Sequence, residues 1–454
     1  MSLQYVSFFV GAGFPDSSLS ALEDQPLDFI GADAGTIDVG PYQLAGDGTI
    51  FSEALCRHDL KRILKLARRK GAPLLIGSCG GSGSDWGVDW FAAMVRDIAR
   101  EEGLAPFKLA RIYSEPDRGY LCEKIRAGRV RALGHADLPY TEETVQRSTK
   151  IVAVMGAEPF EAALEAGADV ILAGRTTDSA IFAAYPLSRG ISPALAWHAG
   201  KVAECGGAIG DPARPDLLKV RLDRDAFEVT PLAGDSRCTP WSVAAHQLYE
   251  NADPFRFVEP AGALDASAAE FEQVDPVTVR IRGGAFLPAA QYTLKLEGVE
   301  PAGYQSIAMA SYNDPVLLEE LPAWLQRVRA EVDTKLARVF GEAARQARLT
   351  IHTYGAGNGS DLFRRAPLGA APNDAFFLID VVAPSQQMAT SAATVAWHTL
   401  IHLPPSGWSG SFVTAAWPFN PPVIERGLLH RFNVDHVIEV DDPLEPVRFV
   451  YEEV

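Results

Sequence analysis

The stretch Ala168-Asp-Val-Ile-Leu-Ala-Gly-Arg-Thr-Thr-Asp-Ser179 limits the possible folds more than any other part of the chain. Val170 to Ala173 is a short, continuous apolar run, the mark of a strand buried on both faces. Gly174 ends it, and Arg175, Thr176, Thr177 and Asp178 follow just ahead of a helix-like segment, Ser179 to Tyr185. A cation, two hydroxyls and a carboxylate therefore stand at the carboxyl end of a central strand, where open α/β sheets bind their ligands. Arg175 has the fork geometry to grip a carboxylate or phosphate. Thr176 or Thr177 can cap the next helix, whose free N–H groups also attract anions. The expectation is an anion-binding α/β site.

The first 180 or so residues show the same alternation throughout. Apolar strand patterns at 4–10, 27–31, 73–77, 108–113 and 151–155 are separated by helical patterns, notably 52–69, 88–101 and 159–166. Such alternation implies right-handed crossovers and a mainly parallel open sheet with flanking helices. Residues 217–222 and 226–230 read as a hairpin, and 239–251 as a helix with Thr239 as its cap and Pro240 in its first turn. The character changes near Asp275. Strands are expected at 277–282, 291–297, 349–354 and 375–382, and helices within 317–345 and over 386–400. The expected division is an α/β ligand-binding domain, 1–268, and a smaller α+β domain, 269–454.

The chain has 454 residues, too many for one ordinary core, and 47% of them are hydrophobic, enough for packed interiors. With 58 acidic against 41 basic residues the formal charge is -17, which argues against nucleic acid or an anionic membrane as partner. The five cysteines are widely spaced with no C-x-x-C, a pattern of reduced thiols. The first ten residues lead directly into a strand pattern without a basic signal-peptide start, and no apolar run approaches the roughly 20 residues of a membrane span. These points lead to the expectation of a cytoplasmic protein.

Three further turns share the design of buried strand, glycine-bearing polar loop and helix: Gly11–Ser18, Asp33–Gly40 and Ser78–Asp85. If their strands are parallel, they crowd one sheet edge together with Arg175–Asp178. Gly13, Gly80 and Gly81 then let backbone approach a ligand, and Ser78 and Ser82 add hydroxyls beside Cys79. The plain alternative is that the glycines only make tight connections. None of these loops is a Walker A motif or a G-x-G-x-x-G fingerprint. Asp16, Asp33, Asp38 and Asp178 are candidates for a general base or for ligands of a hard metal, against the commoner role of Asp in capping helices and turns. Asp16 is the weakest of the four. Cys79 lacks a nearby histidine and reads better as a small buried residue than as a nucleophile. The run 197–207 collects His198, Lys201, Glu204 and Cys205; His198 and Glu204, six apart, do not stack on one helix face, so no zinc site is expected here, and Glu204 is a candidate base at a helix end. His398 and His402 form H-x-x-x-H without the metalloprotease glutamate and read as a packed helix face. No metal and no cofactor is required by these patterns.

The motifs GAGFPDSS, DFIGADAGTIDVGP, IGSCGGSG, AGADVILAGRTTDSA and AGKVAECGG resemble those of the acyclic terpene utilisation (AtuA-like) family. The later runs AAHQLYENADPFRFVEP, VTVRIRGGAF and YTLKLEGVEPAGYQSI are also similar to that family. The resemblance implies a bacterial catabolic protein associated with acyl-CoA intermediates of acyclic terpenoid or other branched-acid breakdown. Arg175, Asp178, Asp33 and the Gly80–Gly81 pair match most strongly. Some relatives carry an extra small C-terminal domain, so a separate small subunit is an expected partner, alongside a homo-oligomer.

Two functional readings follow. The first is a lyase- or hydratase-like enzyme acting on a small carboxylate or acyl-CoA. It would add or remove water, or shift a double bond, with Asp178, Asp33 or Glu204 as acid or base. Arg175, Thr176, Thr177, Gly13, Ser78, Cys79, Gly80, Gly81 and Ser82 would contact the ligand. The second is a non-catalytic binding or scaffold subunit, because no complete nucleophile–base–orienter set is legible.

Overall fold

Short apolar strands alternating with amphipathic helices build a ten-stranded sheet in the computed structural model. It describes residues 2–36, 40–133, 139–248, 251–355, 374–409 and 414–454. The chain divides into two compact units, one of residues 1–300 with 432–454 and the other of residues 301–431.

In the first unit the strands Leu3–Phe9, Phe29–Gly35, Leu74–Gly81, Val170–Ala173 and Lys108–Tyr113 lie side by side in that order, all parallel. Antiparallel strands extend both flanks. Leu218–Leu222, Ala226–Pro231, Val279–Arg282 and Glu270–Gln273 follow on from the first strand, and Arg448–Glu453 pairs with Lys108–Tyr113. Half of the ten strands are thus mutually parallel, so the sheet is mixed and the expected mainly parallel arrangement holds only for its centre. The hairpin at 217–230 is present, but it lies against the first strand of this same sheet.

The period-2 alternation of side chains accounts for the layering. Tyr5, Phe29, Leu75 and Ile171 face one way and pack with Phe182, Tyr185 and Trp197, from the helices Asp178–Ser188 and Pro193–Ala203. Val6, Ile30, Ile76 and Leu172 face the other way and pack with Ile63, Leu64 and Phe91, from the helices Glu53–Lys70 and Asp85–Glu102. These last two helices carry the expected stop signals, left-handed Gly71 and Gly103, and Ser52 caps the first by accepting from the Leu55 N–H. The edge strands are studded with charge (Glu270, Glu272, Arg448, Glu452), which blunts edge-to-edge pairing.

Two expectations change in this unit. The strand Lys150–Val154 does not join the large sheet; it pairs antiparallel with 295–299. The domain boundary expected at 268 falls inside the first unit, because the strands at 270–273 and 279–282 continue the large sheet beyond the hairpin.

In the second unit, residues 304–312, 348–354 and 375–383 form an antiparallel layer. The helices Leu321–Phe340 and Gln386–His402 cover it, with Trp324, Tyr312 and Phe377 at the centre of the core. Its α+β character agrees with the sequence pattern. Among the described residues no helix is long and apolar enough to cross a membrane.

Candidate active site

Parallel pairing brings the carboxyl ends of four strands to one edge, and backbone hydrogen bonds tie the loops that leave them. Val10 N–H donates to the Asp33 carbonyl, Thr36 N–H to Gly81, Ser78 N–H to Gly174 and Arg175 N–H to Gly83. Asp33, Ser78, Arg175, Thr177 and Asp178 are thereby gathered at one end of the sheet. Glu204 arrives from the end of the helix Pro193–Ala203, Glu259 from the strand Arg256–Glu259, and Glu297 from a strand beginning at Thr293.

The arrangement around Arg175 differs from an open anion clamp. Its Nε donates to Glu297 Oε2 at 3.1 Å and an Nη to Ser78 Oγ at 3.4 Å, and only 12% of the side chain is exposed. Burial works against its charge, but Glu297, Asp178 and Asp33 outweigh burial and keep it protonated. Burial in turn raises the Glu297 carboxyl, yet Arg175 and Lys295 pull it below its ordinary range, and Lys295 Nζ stands 3.0 Å from its Oε1. The guanidinium is therefore already matched by internal carboxylates.

The remaining acids are held the other way. Asp33 is buried, and its Oδ1 accepts the Gly35 N–H at 3.2 Å. Burial first, and then the Asp178 charge, raise its pKa well above the ordinary carboxyl value despite Arg175. Burial likewise pushes Glu259 up to about 8, although Thr177 Oγ1 donates to its Oε2 at 2.6 Å. Glu204 is pushed up to about 7 by burial, against the pull of Lys201, which ion-pairs with its Oε1. Ser179 Oγ donates to its other oxygen at 3.0 Å. Asp33, Glu204 and Glu259 are buried, while Arg175, Thr177 and Asp178 keep partial exposure.

Several residues expected at the ligand carry structural roles. Thr177 occupies the cap position of the helix at 178–188 but makes no side-chain cap bond, because its hydroxyl goes to Glu259. Thr176 is buried beside Gly77 and does not cap the helix either. Gly80 and Gly81 have left-handed φ values of 76° and 98°. A Cβ on Gly80 would stand 2.6 Å from Gly87 Cα, and one on Gly81 would overlap Gln43. These glycines thus serve close packing of chain on chain. Ser78, at φ 50°, is the non-glycine residue in the left-handed region among those described, and its Oγ accepts the Thr176 N–H at 3.3 Å. Ser82 is buried, and burial raises the Cys79 thiol far above thiolate-forming range. Gly13 N–H donates to Asp59, a buried acid that anchors the first loop.

Gly13 also lines an apolar cavity of about 390 Å³, with Phe8, Phe9, Cys205, Ala208 and Pro215. Cys205 connects this cavity to the acids. It follows Glu204, and its thiol is raised by burial and by the charges of Glu204, Asp33 and Asp178.

Asp16 lies outside the cluster, exposed and paired with Arg62. His198 turns away, with its ring nitrogens on Gly283 O at 2.9 Å and Gln247 Oε1 at 2.7 Å. His398 and His402 are an exposed, touching pair in the second unit rather than a packed face. Asp38, and the glycine loop from residue 356 onward, lie outside the described residues. Sequence reasoning did not single out Glu259, Glu297, Lys295 or His246, although they lie in the runs AAHQLYENADPFRFVEP and YTLKLEGVEPAGYQSI, because only tertiary packing brings these distant segments to the site.

The fold and this edge define an α/β protein with a buried acid cluster at the carboxyl ends of its central strands. A sequence model of the acyclic terpene utilisation family protein AtuA matches residues 24–213 and 228–437, most of the chain, and the chain belongs to that family. No curated protein matches it, and no solved structure matches it.

Proposed function

We propose that this chain is an enzyme of branched-acyl catabolism that moves a proton beside a carbonyl, adding or removing water or shifting a double bond. The observation that carries the reading is Asp33. This buried carboxyl, its pKa raised well above the ordinary value by burial and by the Asp178 charge, stands beside Asp178 and Arg175 on the strand edge where α/β sheets bind their ligands. A protonated carboxyl such as Asp33 can donate to a carbonyl oxygen, and the neighbouring Asp178 is the group placed to receive a proton from carbon. The charge balance favours an acyl thioester over a free carboxylate. Arg175, Lys201 and Lys295 are each paired with an internal carboxylate, Glu297 or Glu204, so none of the three stands open to a substrate carboxylate. The adjoining apolar cavity is of a size for a small branched chain, in keeping with the terpene utilisation family.

The test is α-proton exchange. Branched acyl-CoA esters incubated with the protein in D₂O should gain deuterium, as read by mass spectrometry, and Asp33→Asn should lower the rate by at least about 100-fold. Equal exchange by wild type and Asp33→Asn would refute the assignment. Saturation of Arg175 by internal carboxylates also favours a second reading, a binding subunit. Tight ligand binding without exchange by the wild type would support it.

A further inference from the structure

We propose that Glu204, Cys205 and His246 form a three-ligand site for a divalent transition-metal ion of the zinc type. One carboxylate oxygen, the thiol sulfur and one imidazole nitrogen all lie within 4.8 Å of one another, and among the described residues no other trio of such donors comes as close. The donors come from two elements. Glu204 and Cys205 end the helix Pro193–Ala203, and His246 sits in the last turn of Pro240–Leu248.

The chemistry of the set is that of a borderline ion. Oxygen, sulfur and nitrogen together suit zinc, whereas calcium and magnesium take oxygen alone. Thiolate and carboxylate balance the two positive charges. Bond lengths of about 2.0–2.3 Å require the three donors to close by roughly an ångström. Cys205 and His246, both half-buried, have room for that rotation. Glu204 is already oriented by two outer groups, Ser179 Oγ at 3.0 Å and the Lys201 ammonium. Such partners fix a metal-bound carboxylate.

Three protein ligands leave a fourth position, as in catalytic zinc sites. Cys205 and His246 both line a cavity of about 290 Å³, together with Ser242 and Gly210, and Cys205 also lines the apolar cavity. The vacant position therefore faces space for a carbonyl or carboxylate oxygen. This adds an electrophile beside the acids of the proposed function. Its test reads metal and not turnover, so either proposal can fail without the other.

The full-length chain, stripped with chelator, should bind one Co²⁺ per chain with a thiolate-to-cobalt charge-transfer band, and Zn²⁺ should erase that band. Cys205→Ser should abolish it. The other four cysteines are buried, so the band reports Cys205. His246→Gln should weaken Co²⁺ binding by at least about tenfold, and it tests the site should Cys205→Ser fail to fold. The His398→Ala/His402→Ala double variant should leave the band unchanged. No band in a wild type with native circular dichroism, a band that survives Cys205→Ser, or an unchanged Co²⁺ affinity in His246→Gln would overturn the site.

Discussion

Arg175 and Asp33 show how a residue's surroundings decide its role. As a sequence letter, an arginine at a strand end is a clamp for an anion. In the folded chain the nearby Glu297 carboxylate occupies it, and its charge then balances the acids around it. Arg175→Met should destabilise the protein by about 3–5 kcal/mol in urea unfolding, because it strands a buried carboxylate. Adding Glu297→Gln should recover most of the loss, and a full additive penalty would deny the pairing. Glu259 makes a pH prediction. Burial holds it at about 8 against an ordinary 4.5, so the folded state binds its proton more tightly than the unfolded state. Stability then falls as pH rises from 4.5 to 8. Glu259→Gln should raise Tm by several degrees at the alkaline end and change it little near pH 5. An equal Tm change at both ends would contradict the shift. Asp33, Asp178 and Glu204 were legible because each closes a local pattern of strand or helix followed by a turn. Glu259, Glu297 and His246 were not, since only tertiary packing brings them to the edge.

At the scale of elements, the glycine-rich end of Leu74–Gly81 was legible as special but not in its purpose. Gly80 and Gly81 let the strand end pass Gly87 and Gln43, whereas the sequence suggested room for a ligand. Gly80→Ala should cost about 3 kcal/mol or more, joining left-handed strain to a steric clash. Gly103→Ala is also left-handed, but nothing lies within 4 Å of an added Cβ, so it should cost only about 1–2 kcal/mol. Equal losses in urea unfolding would show that the close approach to Gly87 is immaterial. The helix expected over 52–69 runs from Glu53 to Lys70, its limits set by the Ser52 cap and left-handed Gly71. Thr177 misled because its hydroxyl serves Glu259 and not the helix.

At the scale of the whole molecule, the sequence showed an α/β part and an α+β part but misplaced their limits. Antiparallel flanks cannot be told from parallel strands by hydropathy, and a returning C-terminal strand leaves no mark near its partner. Arg448–Glu453 pairs along Lys108–Tyr113, and Glu452 meets Arg96 and Arg111. A chain cut after Pro446 should therefore lose cooperative melting or fall out of solution. A fragment of residues 1–268 should also fail to melt as one unit, because it lacks both outer strands 270–282 and the returning strand. Native-like melting of that fragment would restore the boundary at 268.

The central claim is that Asp33, its pKa raised well above the ordinary carboxyl value by burial and by Asp178, is the proton-holding acid of the cluster. Infrared spectroscopy of the protein carrying ¹³C-labelled aspartate reads that proton directly through the carboxylic C=O stretch. The account predicts a shifted carboxylic band at pH 7 that disappears in Asp33→Asn. A wild-type spectrum at pH 7 with only carboxylate bands, or a band that survives the substitution, would contradict it.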